Sequence, residues 1–94
     1  MTVAVKIPTV LRPFAGGAEC VRLDLDGDAT VGAVFAQLEQ DHPALRRRLT
    51  DDQGELRRHV NVFLAGDNIR DLKGLHTPLP DGAELLILPS VAGG

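Results

Sequence analysis

The apolar residues Val31, Val34, Phe35 and Leu38 recur at i, i+3, i+4 and i+7, with Gln37, Glu39 and Gln40 on the opposite side. This helical stripe constrains the fold more than any other feature of the chain, because a half-apolar helix must be covered by something. Thr30 is a good N-cap, since its hydroxyl can accept a hydrogen bond from an orphan N–H of the first turn. Pro43 disfavours helical geometry at His42, so the helix runs for about three turns and stops near His42. Pro43 is itself a suitable first residue for a second short helical segment through Leu49.

The partner for that stripe is a sheet. Thr2 to Ile7 alternates, with Val3, Val5 and Ile7 on one face and Thr2, Ala4 and Lys6 on the other. Glu19 to Leu25 alternates again: Val21, Leu23 and Leu25 point inward, Cys20, Arg22 and Asp24 outward. Pro8 and Pro13 flank the connection and Gly16-Gly17 supplies a turn, so the two stretches read as an antiparallel hairpin with a long loop. Asp26-Gly27-Asp28 ends the second strand. Thr50 to Arg58 is polar, contains Gly54 and reads as a solvated loop. His59 to Ala65 is a third strand, closed by Gly66-Asp67-Asn68. Asn68 to Leu72 reads as a short edge strand, and Leu75 to Pro80 as irregular. Asp81-Gly82 turns the chain into Glu84–Leu88, whose unbroken apolar run suits a strand buried on both faces or central in a sheet. The order is β-β-α-β-β-β: a small α+β domain, with one main helix packed on one face of a mixed sheet. The first and last strands are expected to be central, parallel neighbours.

Composition bounds the rest. Apolar residues make up 44% but aromatics only 3%, so the core of this 94-residue, single-domain chain must be aliphatic. A net charge of −3 argues against a general nucleic-acid binder. No apolar run approaches the ~20 residues that span a bilayer. Pro8, Arg12 and Pro13 interrupt any signal-peptide core, so a cytoplasmic location is expected. Cys20 is the sole cysteine, which excludes an internal disulfide and a zinc-type ligand set. It reads as a small residue on the outward face of its strand, with only Arg22 nearby to activate a thiolate. His42, His59 and His76 stand singly, away from metal-ligand spacing. Glu39-Gln40-Asp41 and Asp51-Asp52 read as solvated surface. Arg46-Arg47-Arg48 and Arg57-Arg58 flank one loop; they read either as charges paired with Asp51 and Asp52, or as a docking patch for an acidic partner. Leu11, Pro13 and Phe14 either offer an apolar partner patch or close the bottom of the core. There is no Ser-His-Asp set and no phosphate-binding glycine motif.

What remains is the end of the chain. Val91-Ala92-Gly93-Gly94 follows the last strand almost directly. Glycine lacks a Cβ, so two in a row let other groups approach the terminal carboxylate closely. Residues 1–89 are expected to form the domain and 90–94 a flexible, reactive tail, which can reach about 17 Å if extended. Val91, Ala92 and Gly93 are the segment expected to enter a partner's active site, and Gly94 the reacting residue.

This order, with a terminal Gly-Gly after an aliphatic strand, resembles the ubiquitin-like β-grasp sulfur carriers of the MoaD/ThiS-like superfamily. The likeness is strongest to the carriers of cysteine biosynthesis. It is carried by Val5 to Pro13, Gly16-Gly17, Thr30 to Val34, His59 to Val62, and Ile87 to Gly94. Molybdopterin-type carriers often have a double proline before Val-Ala-Gly-Gly, where this chain has Pro89-Ser90, and tend to open with an aromatic-rich strand. Thiazole carriers are usually shorter and lack the Asp41-to-Arg58 insertion. The resemblance implies a protein co-substrate rather than an enzyme: Gly94 is adenylated, then converted to a thiocarboxylate that donates sulfide. It also implies that the chain binds no cofactor of its own. ATP, PLP and zinc belong to the partners, namely an E1-like adenylating and sulfurtransferring enzyme, a PLP-dependent cysteine synthase, and a zinc metalloprotease that releases cysteine. Neither nucleic acid nor membrane is implied. Two other roles stay open within the family: a molybdopterin-synthase small subunit or another sulfur-metabolite carrier, and a ubiquitin-like modifier joined through Gly94 to lysine amines. A plain interaction domain with an inert tail is the third.

Overall fold

The alternation near the start of the chain folds as a hairpin. In the computed structural model, which describes residues 1–89, β1 (Thr2–Lys6) and β2 (Cys20–Asp24) pair antiparallel from Thr2↔Asp24 to Lys6↔Cys20. A two-residue strand, β3 (Ala29–Thr30), leads into α1 (Val31–Asp41), then α2 (Pro43–Leu49). The Thr30 hydroxyl accepts the Ala33 N–H at 3.2 Å, the expected N-cap. His42 separates the two helices, as Pro43 dictates. There follow β4 (Val60–Leu64), β5 (Asp67–Asn68), β6 (Pro78–Leu79) and β7 (Glu84–Pro89).

The main sheet has the order β2-β1-β7-β4-β5. β7 is parallel to β1 (Ala4↔Glu84 to Lys6↔Leu86) and antiparallel to β4 (Val60↔Pro89 to Leu64↔Leu85). The first and last strands are therefore central, parallel neighbours, as read from sequence. The core lies between the sheet and the helices. Val3, Val5, Val62, Leu85 and Ile87 meet Val34, Phe35 and Leu38 of α1 and Leu45 and Leu49 of α2, all fully buried. Of the three phenylalanines only Phe35 is fully buried, so the core is aliphatic around a single ring.

Several sequence expectations need correcting. Of the two readings of β7, the central one holds and burial on both faces does not: Leu85 and Ile87 are 0% exposed, while Leu86 and Leu88 are 38% and 42% exposed. One helical layer covers one side of a sheet, and no second layer exists among the described residues. The expected strand over Asn68–Leu72 lasts only through Asn68. There the Asn68 carboxamide oxygen accepts the Arg70 N–H at 3.0 Å and starts a 3-10 turn, Ile69–Asp71, that drives Ile69 into the core. The segment read as irregular holds a 3-10 turn (Gly74–His76) and then β6, which pairs with β3 through Ala29↔Leu79 and Thr30↔Pro78. The loop after α2 is less solvated than expected, because Thr50 is buried and bridges Leu56. The Leu11–Phe14 region is a 3-10 helix, Thr9–Ala15, with Leu11 and Ala15 buried and Phe14 packed partly against the core. It closes the core bottom.

Candidate functional site

Parallel pairing decides where β7 delivers the chain. β1 ends at Lys6 and continues into the Thr9–Ala15 helix, so β7 ends on that same edge, with Pro89 opposite Val60. The expected reactive residue Gly94 and its approach segment Val91, Ala92 and Gly93 lie outside the described residues. The described residues define the base from which they depart.

That base is held on the β4 side by a side-chain network. Arg70 donates through Nη1 to the Asn61 carboxamide oxygen (2.8 Å) and through Nη2 to the Arg57 carbonyl (2.6 Å). Asn68 Nδ2 donates to the same Asn61 oxygen at 3.1 Å. The network ties the start of β4, the β5 edge and the chain entering β4 into one piece. Sequence reasoning missed it, because Arg57 and Asn61 meet Asn68 and Arg70 only after folding.

Two surfaces adjoin the base. The first is the uncovered sheet face. Strand register sets Cys20, Lys6, Leu86, Phe63 and Asn68 in one row across the five strands, with Leu88 beside Asn61 one step nearer the end of β7. Lys6 Nζ pairs with Glu84 Oε1 at 3.2 Å. Beside this pair a shallow depression of about 350 Å³ is lined by Phe63, Ala65, Gly66, Glu84, Leu86 and Leu88. Leu86 and Leu88 give this depression an exposed apolar floor.

The second surface is basic. A depression of about 600 Å³ is lined by Phe14, Ala44, Arg47, Arg48, Arg57 and His59. His59 immediately precedes Val60, the partner of Pro89, so this depression sits at the edge where β7 ends. The arginine triplet is not one cluster, contrary to the sequence reading. Arg46 turns inward, donating to the Phe35 carbonyl (2.7 Å) and the Thr50 hydroxyl (2.9 Å), with its guanidinium 5.8 Å from the Phe35 ring centroid. Arg48 lies over the Phe14 ring at 4.2 Å. Arg47 is exposed, and Arg57 Nε donates to its carbonyl at 3.1 Å. The expected pairing with Asp51 and Asp52 does not form: among the described residues the single ion pair is Lys6–Glu84. The Asp51 carboxylate instead accepts the backbone N–H groups of Gln53 and Glu55 at 2.9 and 3.0 Å.

A profile of the ThiS family matches residues 5–94. The chain belongs to the ThiS family. It is 43% identical to the sulfur carrier protein CysO of Mycobacterium tuberculosis, over the full length of both chains, and superposes on a crystal structure of that protein with a TM-score of 0.83. It is 42% identical to small archaeal modifier protein 1 of Haloferax volcanii, covering 83% of this chain and 85% of that one; the crystal structure of that modifier gives a TM-score of 0.84. A third structure, the BexX/CysO complex of Amycolatopsis orientalis, gives a TM-score of 0.84 at 38% identity, covering 98% and 99% of the two chains. The fold is accordingly the ubiquitin-like β-grasp, and the named ThiS-family relatives are carriers and modifiers, which act as protein co-substrates.

Within this ThiS-family domain the other sequence candidates stay apart. Cys20 is half-buried on the outward side of β2, across from Lys6, whose ammonium is engaged by Glu84. His42 caps a helix junction, His59 borders the basic depression and His76 lies in a 3-10 turn. Among the described residues no group of three His, Cys, Asp or Glu side chains could hold a metal ion, and no helix is long and apolar enough to cross a membrane.

Proposed function

We propose that this protein is a sulfur carrier whose Gly94 carboxylate is adenylated and then converted to a thiocarboxylate, most directly for cysteine biosynthesis. The observation that supports it best is the full-length 43% identity to the sulfur carrier protein CysO, in a chain that keeps Gly93-Gly94 beyond the central strand. A carboxylate is a poor electrophile, being anionic and lacking a leaving group. Joining it to AMP, with loss of pyrophosphate from ATP, makes a mixed anhydride; a sulfur donor then attacks the carbonyl carbon and AMP departs. The product carries sulfur in place of one carboxylate oxygen and is a soft nucleophile held on a protein. A Cβ at residue 93 or 94 would crowd that carbon, so glycine suits both positions. In this reading residues 90–94 are the reactive tail of the domain 1–89, and Val91, Ala92 and Gly93 thread it into the partner.

The partners follow from the chemistry. An ATP-dependent E1-like enzyme loads sulfur, a PLP-dependent cysteine synthase accepts it, and a zinc metalloprotease frees the product and restores Gly-Gly. ATP, PLP and zinc reside in those enzymes, and the setting is the cytoplasm. The BexX/CysO complex shows a related CysO assembled with another protein. A second reading, a protein modifier joined to lysine amines, is favoured by the 42% identity to small archaeal modifier protein 1.

Intact-mass spectrometry tests the proposal. Incubation with the organism's activating enzyme, ATP and a sulfur donor should add the mass of an oxygen-to-sulfur exchange. Deletion of Gly94 should abolish that gain and leave the thermal unfolding curve unchanged. A truncated chain that still loads would rule the carrier assignment out, and lysine-branched Gly-Gly remnants on other proteins would favour the modifier.

A further inference from the structure

We infer that the basic depression lined by Phe14, Arg47, Arg48, Arg57 and His59 is a docking point for an acidic surface beside the tail-receiving cleft of the activating enzyme. The inference deepens the carrier reading and rests on it. The chain has ten Lys and Arg against thirteen Asp and Glu, and Arg46–Arg48 with Arg57–Arg58 hold half of the cations. Three of them, Arg47, Arg48 and Arg57, line this one depression, and no acidic side chain lines it.

The depression lies at the edge where β7 ends, next to Val60↔Pro89. Any protein that swallows residues 90–94 must bring the rim of its cleft against this edge, because five extended residues reach only about 17 Å.

Arg47 and Arg57 are held in place without an ion pair among the described residues, although Glu39, Asp51 and Asp52 share an adjoining depression with them. Arg57 and Arg47 direct Nε to backbone carbonyls, at 3.1 and 3.5 Å. No carboxylate among the described residues comes within ion-pair distance of either. Asp51, the acid nearest Arg47 in sequence, accepts from its own turn, and Glu55, nearest Arg57, forms no ion pair. The outer guanidinium N–H groups therefore remain available for carboxylates, which guanidinium recognises through paired hydrogen bonds.

A nucleic-acid partner fits less well. A polyanion leaving this small depression would meet Glu39, Asp51 and Asp52 in the adjoining one, and the exposed face of Phe14, the ring that could stack a base, is covered by Arg48 at 4.2 Å.

The test is the initial rate of Gly94 loading, followed by intact mass on the full-length chain with the organism's own ATP-dependent activating enzyme. Arg47→Glu and Arg57→Glu are each expected to lower kcat/KM about tenfold at low ionic strength, with kcat held at saturation and the difference vanishing near ~0.5 M salt. Arg47→Lys and Arg57→Lys should recover the charge-steered part of the rate but not the part owed to paired hydrogen bonds. Lys73→Glu, with the same charge change beside the start of α1, should load normally. Arg47 is exposed, so its variant remains informative even if Arg57→Glu unfolds. As a second readout, a polyglutamate peptide should shift the amide resonances of Arg47, Arg57 and His59 in the wild type and not in Arg47→Glu.

Salt-independent loading by both reversals, an equal loss in Lys73→Glu, or no peptide-induced shifts would each overturn the inference. So would a single-stranded oligonucleotide that binds the depression while loading ignores Arg47→Glu; that result would reassign the surface to nucleic acid. A wild type that binds the peptide but never loads would instead sink the carrier reading while supporting the acidic docking chemistry.

Discussion

Arg46, Arg47 and Arg48 are identical in chemistry and adjacent in sequence, yet each does something different. A helix turns its side chains by about 100° per residue, so three consecutive arginines cannot share one face. Arg46 joins α1 to α2 through the Phe35 carbonyl and the Thr50 hydroxyl, Arg48 covers Phe14, and Arg47 meets solvent. Replacing Arg46 by Ala should lower unfolding free energy by about 1–3 kcal/mol, since two charge-assisted hydrogen bonds are lost. Arg47→Ala should fall within about 0.5 kcal/mol of wild type, as exposed substitutions do. Urea unfolding of both variants checks the contrast, and equal effects would contradict the division of roles. The triplet was legible in the sequence as charge but not as structure. Which arginine faces inward depends on where α1 places its Phe35 carbonyl, a contact eleven residues away.

Elements obey their local chemistry wherever the period is long enough to register. The helix cap, the break at Pro43 and the alternation of β1 and β2 were readable because several residues repeat one message. Two-residue strands such as β3 and β6 carry no period, and only their mutual pairing defines them. The run Leu85-Leu86-Ile87-Leu88 misled for the opposite reason: with apolar residues at every position, nothing in it distinguishes the covered face from the bare one.

The β4–β5 turn offers a clear test at this scale. Ala65 and Gly66 both have positive φ, 52° and 87°, between Leu64↔Asp67, the signature of a two-residue type I′ turn. Alanine is strained there, whereas asparagine tolerates left-handed geometry. Ala65→Asn should therefore stabilise the protein by roughly 0.5–1 kcal/mol. Calorimetry should register this as a melting temperature several degrees higher. A lower melting temperature would show that Ala65 is not under strain.

For the whole molecule, the uncovered sheet face and the base of the tail form one continuous approach surface. Leu86 and Leu88 contribute little to the core from where they stand, so the double replacement by Thr should change stability by no more than about 1 kcal/mol. If a partner covers them, the same change should raise KM for sulfur loading about tenfold or more, because each buried Leu is worth roughly 1.5–3 kcal/mol. Unchanged loading kinetics would remove this face from the interface. Part of this layout was foreseeable: the first and last strands were read as central, parallel neighbours, and they are. The bare face followed from one helix packed on one side of a sheet; which residues of β7 line it did not, since Leu85 to Leu88 are all apolar. The parallel pairing of β1 with β7 has a mechanical consequence. A partner gripping the last residues and tugging along the strand axis loads the hydrogen bonds to β1 in shear, all at once, instead of peeling them singly. Such a joint behaves as a clamp, and it lets the domain be drawn against an enzyme by its own end without unravelling.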